Sequence, residues 1–285
     1  MASAELDGTV GARPPRQAAA PPVAAPPRAR AAHKFAASVV PVLAEYLEAV
    51  SAAVLKHCST IDKFLGDGVM AFWGAPVPSE GHAADACAAA LECQTLLSLQ
   101  RAAAERCGGT ALRMRIGINT GRMLVGNIGS SERLNYTVIG DPVNIASRLE
   151  PLGKIYGVEI VIGEETRIAA GDAIIVRRLD RVSVYDRVGG IAIYELLGMV
   201  EHFGAEAPEW VRSYEAGLAA YENRCWSEAI KLLETVAAAR GAIDRPSEIL
   251  WNDAAPISPT HRPTVGHRFQ CANRNDLRSS CANRS

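Results

Sequence analysis

Asp67, in Gly66-Asp67-Gly68, is the first residue of this chain with the setting for chemistry. Ile61, Phe64 and Leu65 precede it, and Val69, Met70, Ala71, Phe72 and Trp73 follow it. Two short apolar runs around a Gly-Asp-Gly turn predict a β-hairpin. The turn puts a carboxylate where side chains are few and backbone can come close to a ligand. Lys63 stands four residues earlier, at the end of the first predicted strand. An acid and a base on a rigid hairpin can hold a metal and a polar ligand; a solvated turn with an incidental lysine contains the same residues. A second pair, Asn144 and Arg148, follows Gly140-Asp141-Pro142, where proline suits a first helical turn. Four residues apart, the two share one helix face. Plain helix surface, or an ion pair with Glu150 or a neighbour, is the alternative for them.

The elements that must position these residues follow from periodicity. Val39, Val40, Leu43, Tyr46, Leu47, Val50 and Val54 predict a helix over 38–57. An Ala-dense helix over 80–104 has a small-residue face that can lie close on a sheet, with Cys87 and Cys93 in Ala-like buried roles and His82 at the surface. Residues 112–118 and 123–129 read as two strands joined by a turn at Asn119-Thr120-Gly121, a second hairpin. A strand ends at 139 and leads into the helix of Asn144 and Arg148. Strands are expected at 158–162, 173–184 and 191–197, with a short helix at 164–170. Helices alternating with hairpins indicate α+β or α/β, one sheet covered by helices.

Residues 1–37 are rich in Ala and Pro, with no acid between Asp7 and Glu45, and read as a disordered arm. Residues 38–199 form the expected main domain. Trp210, Tyr214, Leu218 and Tyr221, then Trp226, Ala229, Ile230, Leu233 and Val236, predict a helical hairpin over 208–240, similar to one tetratricopeptide unit. Residues 241–285 lose periodicity and read as a disordered tail. Apolar residues make up 48% of the 285, enough for a core, and a net charge of −1 gives no case for nucleic acid or a membrane surface. Seven cysteines, an odd number without a CxxC pair, fit reduced thiols and a cytoplasmic setting. No apolar run reaches the roughly 18 residues of a membrane span.

The stretches from Thr60 to Pro76, Arg115 to Ser130 and Tyr136 to Glu150 closely resemble the class III adenylate/guanylate cyclase catalytic domain, and the likeness covers about Val39 to Gly198. The resemblance implies a ferredoxin-like α+β fold, a dimer with sites between the chains, and two divalent ions, Mg or Mn, held by two aspartates. It implies a lyase that turns ATP into cyclic AMP and pyrophosphate in intracellular signalling, as a homodimer or paired with another cyclase chain. Asp67 matches the second metal aspartate, Lys63 and Thr137 the adenine-reading pair, Asn144 the ribose-orienting asparagine, and Arg148 the arginine that stabilises transition-state charge. Arg187, in Tyr185-Asp186-Arg187, stands where many members have a phosphate-binding lysine. The family's opening strand, with the first metal aspartate, has no counterpart; Asp7 lacks the strand and lies too far upstream. The alternative function is therefore a catalytically silent domain that binds nucleotide or dimerises.

Overall fold

A computed structural model describes residues 3–12, 29–106, 112–182, 190–203, 207–241 and 244–254. The elements are β1 (Ser3–Ala12), α1 (Ala29–Lys56), β2 (Thr60–Leu65), β3 (Gly68–Trp73), α2 (His82–Arg106), β4 (Ile116–Gly129), β5 (Leu134–Ile139), α3 (Asp141–Tyr156), β6 (Ile160–Gly163), α4 (Glu164–Ala170), β7 (Ile174–Val182), β8 (Ile191–Met199), α5 (Val200–Phe203), α6 (Glu209–Glu222), α7 (Trp226–Arg240) and α8 (Arg245–Ala254). This is the expected α+β class. By its contacts the chain divides into one unit of Met1–Val176 with Glu195–Ala205 and another of Arg177–Tyr194 with Glu206–Ser285.

In the first unit the strands lie in the order β2-β3-β1-β4-β6, with β5 paired to β4. β1 is antiparallel to both neighbours, Gly11 facing Ala71 of β3 and Asp7 facing Arg122 of β4. The arm expected over 1–37 is thus a sheet strand at Ser3–Ala12 and helix from Ala29. The overlooked signal is alternation: Ala4, Leu6, Val10 and Ala12 on even positions, Ser3, Glu5, Asp7 and Thr9 on odd ones. The expected turn at Asn119-Thr120-Gly121 is also absent, because β4 runs unbroken for 14 residues. Asn119 and Thr120 are buried there with their polar groups met. Asn119 Nδ2 donates to the Pro142 carbonyl at 3.4 Å, and the Thr120 and Thr166 hydroxyls lie 3.1 Å apart. The β4 hairpin forms instead with β5, Leu124 facing Ile139 and Gly129 facing Leu134.

α2 buries Ala83, Ala86, Cys87, Ala89, Ala90, Cys93 and Leu97, the small-residue face expected for it. Burial pushes the Cys87 and Cys93 thiols up to about 12, so both stay protonated and inert. His82, expected at the surface, is buried at the start of that helix.

The second unit holds α6, α7 and α8 around Tyr214, Leu218, Tyr221, Ala229, Leu233, Val236 and Leu250. α8 was expected to be tail; it supplies Leu250 and Ala254 to this core, a third helix for a pair that cannot cover its own face. The unit carries a fully buried arginine, Arg177, whose Nη1 and Nη2 donate to the two Asp244 oxygens at 2.8 and 2.9 Å. Trp210 and Tyr214 lie 5.1 and 4.7 Å from its guanidinium carbon. Burial pushes the Asp244 carboxyl up, but Arg177, Ser247 and Arg240 outweigh it and hold the group below its ordinary value. A depressed folded value means the pair stabilises above the ordinary carboxylate range and is lost as pH falls through the lowered value. Asp244→Asn should cost about 3–5 kcal/mol, because Arg177 is left buried with its charge unmatched. Urea unfolding at neutral pH checks this: the loss should shrink in acid, and an unchanged midpoint at pH 7 would remove the pair from the fold's support.

Candidate functional site

The β2–β3 hairpin closes through two residues, Gly66 and Asp67, with Leu65 facing Gly68. Gly66 has φ 70° while Asp67 has negative φ, the pattern of a type II′ turn. A Cβ at Gly66 would meet nothing within 4 Å, so backbone conformation rather than space selects glycine there. Asp67 is half-buried at the tip. Its charge reaches Tyr46 of α1, whose hydroxyl donates to Met114 Sδ at 3.3 Å. Burial first, then Cys93 and Asp67, raise that phenol well above its ordinary value.

Lys63 sits on β2 and Thr137 on β5, strands that are not sheet neighbours. The lysine spans the gap: its Nζ donates to Thr137 Oγ1 at 3.5 Å. Thr137 is buried, opposite Gly126 on β4, beside the small core of Phe72, Met123, Val125, Val138 and Ala146. The two residues picked from sequence as a pair therefore meet, 74 positions apart in the chain.

Asn144 and Arg148 are both exposed on α3, on one face with Ser147, whose hydroxyl donates to the Asn144 carbonyl at 2.8 Å. Glu150 is two residues from Arg148 and so on another side of the helix. It is buried and accepts from Arg115 Nε at 3.0 Å. That ion pair, absent from the sequence reading, ties α3 to the start of β4. α3 can lie this close because Gly117 has no side chain: a Cβ there would sit 2.4 Å from the Ala146 carbonyl and 2.6 Å from the Glu150 amide. Arg187 lies outside the described residues.

The register of β1 tests whether two aspartates of this chain can share an ion. Gly11 faces Ala71; Asp67 is four residues from Ala71 towards the turn, and Asp7 is four residues from Gly11 the other way. At ~3.3 Å per residue the two lie about 26 Å apart along the strands. Residues 8–44 contain no acid at all, so nothing at the hairpin end of β1 can take the role. Among the described residues no three His, Cys, Asp or Glu gather as a metal site. Asp7 and Asp67 of one chain are therefore too far apart to share an ion.

A family model of the adenylate and guanylate cyclase catalytic domain matches residues 29–196, more than half of the chain. Adenylate cyclase 1 of Rhizobium meliloti is 38% identical over 182 residues, 64% of this chain and 26% of that protein. An adenylate cyclase of Anabaena cylindrica is 33% identical over 164 residues, 54% of this chain and 31% of that one. The chain thus spans between a quarter and a third of these relatives. Among solved structures, the adenylyl cyclase CyaB from P. aeruginosa superposes with a TM-score of 0.57 at 30% identity, over 69% of this chain and 96% of that one. The guanylyl cyclase Cya2 gives 0.57 at 28% identity, over 71% and 96%.

Gly117→Ala should lower stability by about 1–3 kcal/mol, since the added methyl overlaps helix backbone that cannot swing aside. The gain from stiffening the unfolded chain, about 0.4–1 kcal/mol, offsets only part of this. A denaturant midpoint equal to that of the parent protein would refute the close contact between β4 and α3.

Proposed function

The chain belongs to the adenylate and guanylate cyclase catalytic domain family, and we propose that it acts on ATP, serving the conversion of ATP to cyclic AMP and pyrophosphate in signalling. The observation that carries the choice of nucleotide is the Lys63–Thr137 contact. An ammonium only donates, while a hydroxyl donates or accepts. Adenine offers a ring acceptor, N1, beside an amino donor, N6, which answers that pair. Guanine puts a ring N–H at the same place, donor against donor, and a mismatched buried polar group is what rejects a substrate.

The remaining roles rest on family likeness and exposure. Asn144 orients the ribose, so that its 3′-oxygen faces the α-phosphorus. Arg148, on the same exposed face, stabilises charge on the phosphate oxygens as the bond to pyrophosphate breaks. Arg187 binds the polyphosphate. The family generally uses divalent ions, and Asp67 is this chain's ligand for Mg or Mn.

A second chain completes the site. Phe64, Leu65, Leu124, Leu134, Tyr136 and Ile139 are large apolar side chains exposed on β2, β4 and β5, the strands around Lys63 and Thr137. Apolar surface of this kind favours a protein interface. Pairing with a cyclase chain that carries both carboxylates gives one complete site, to which this chain contributes Lys63, Thr137, Asn144 and Arg148. The register of Asp7 favours, for this chain by itself, the second reading: a nucleotide-binding, dimerising domain that turns over little unaided.

Purified protein with Mn and ATP should form little cyclic AMP. Adding a complete cyclase whose own adenine-reading lysine has been replaced should restore production. Robust production by the chain alone, abolished by Asp67→Ala, would show that its own carboxylates suffice. In the restored pair, Lys63→Glu with Thr137→Cys should move preference towards GTP by roughly 10²-fold; an unmoved ratio would refute the base-reading roles.

A further inference from the structure

Asp62 has no part in the reading above, yet its placement is unusual. Ile61 faces Ala71 and Lys63 faces Met70, consecutive residues of β3, so Asp62 is the extra residue of a β-bulge. In an unbroken strand residues 62 and 63 would point to opposite faces and their side chains would not meet. Here Lys63 Nζ lies 3.3 Å from Asp62 Oδ2. The Asp62 side chain is 1% exposed, and neither of its oxygens has a hydrogen-bond partner. The lysine contact is one of charge at close range, without the alignment of a hydrogen bond. A carboxylate withdrawn from water without donors is costly, and a nearby opposite charge is what makes it tolerable.

The ammonium that answers Asp62 is the same one that donates to Thr137 Oγ1 at 3.5 Å. The Lys63 side chain remains 46% exposed, so its head is still open to a ligand. We propose that Asp62 is a positioning residue for base selection, holding the Lys63 ammonium beside Thr137 so that a purine must present an acceptor there. Lysine is a point charge on a flexible four-carbon stem. Unheld, it sweeps a wide arc and can follow the O6 acceptor of guanine as readily as N1 of adenine. Held between a buried carboxylate and a hydroxyl, it is preorganised, and preorganisation is what turns a contact into discrimination. The bulge serves this purpose by turning two adjacent side chains to one place. This inference rests on the ATP reading above.

Equilibrium binding of fluorescent ATP and GTP analogues to the full chain, its Asp62→Asn and Lys63→Ala forms and the double variant tests it. Asp62→Asn should weaken ATP binding and cut the ATP-over-GTP preference about tenfold, with the double variant no worse than Lys63→Ala, as coupled residues behave. Its melting temperature should stay level or rise, because a neutral amide is cheaper to bury than a carboxylate without hydrogen-bond donors, and the half-exposed Lys63 keeps its water. A purely structural role predicts a lower melting temperature with the preference intact, and that result would overturn the proposal, as would losses that add in the double variant. A second readout needs no nucleotide: with ¹³C-methylated lysines, the Lys63 signal, identified through Lys63→Arg, should move to the free-lysine position in Asp62→Asn. A signal that stays put overturns the holding role. A parent chain that binds neither analogue overturns the ATP reading, and the selectivity role with it, while the lysine signal still decides whether Asp62 holds Lys63.

Discussion

The absence of a side chain at Gly117 lets the backbone of α3 rest on β4, with the Ala146 carbonyl and the Glu150 amide closer than any Cβ would permit. β4 is also the strand to which β1, β5 and β6 are hydrogen-bonded. The positions of Thr137 on β5 and of Asn144 and Arg148 on α3 are therefore set from one 14-residue strand. Arg115, just before that strand, pairs with Glu150 and ties the second half of the helix to the same strand. Loop-borne residues could not be held with this precision; residues on a helix and a strand that share one buried support can. The consequence is that Thr137, Asn144 and Arg148 are presented from one rigid support.

The β2–β3 hairpin solves a different problem. Its turn must project a carboxylate, and its first strand must send a lysine across to β5. The II′ turn supplies the first through the positive φ of Gly66. The bulge at Asp62 supplies the second by breaking the period-two alternation just before Lys63. Regular pairing on both sides, Thr60 with Phe72 and Leu65 with Gly68, keeps the irregularity local. The charge arrangement is economical: one ammonium offsets a buried carboxylate and touches a buried hydroxyl, yet stays open to a ligand.

The α+β class, the Gly66-Asp67 turn, the small-residue face of α2 and the shared face of Asn144 and Arg148 were all legible in the sequence, because each depends on neighbours within a few residues. The failures have a common cause. At Asn119-Thr120-Gly121, polar residues mark a turn only if they lack partners, and their partners, Pro142 and Thr166, are far along the chain. α8 is too short and polar to register alone, and its apolar residues matter only once packed with α6 and α7. The Lys63–Thr137 contact could be expected only through family likeness, since no periodicity links β2 to β5. Asp62 gave no signal at all: one acid in an apolar run is ordinary until the bulge shows where it points.

β1 carries the sharpest lesson. It fills the position between β3 and β4 that a central strand must fill, and without it β3 would have no hydrogen-bonding neighbour on that side. The family match nevertheless begins at residue 29, after this strand. Its alternating residues meet the needs of a sheet, which are generic: extended backbone and side chains on two faces. They do not supply the first aspartate that the family resemblance calls for beside the hairpin turn. The chain from residue 8 to 44 has none to offer. Sheet formation and catalysis are thus separable demands on a single strand. A sequence that satisfies the first alone keeps the sheet, and with it the surfaces around Lys63 and Thr137 and on α3 that are proposed above to meet a nucleotide.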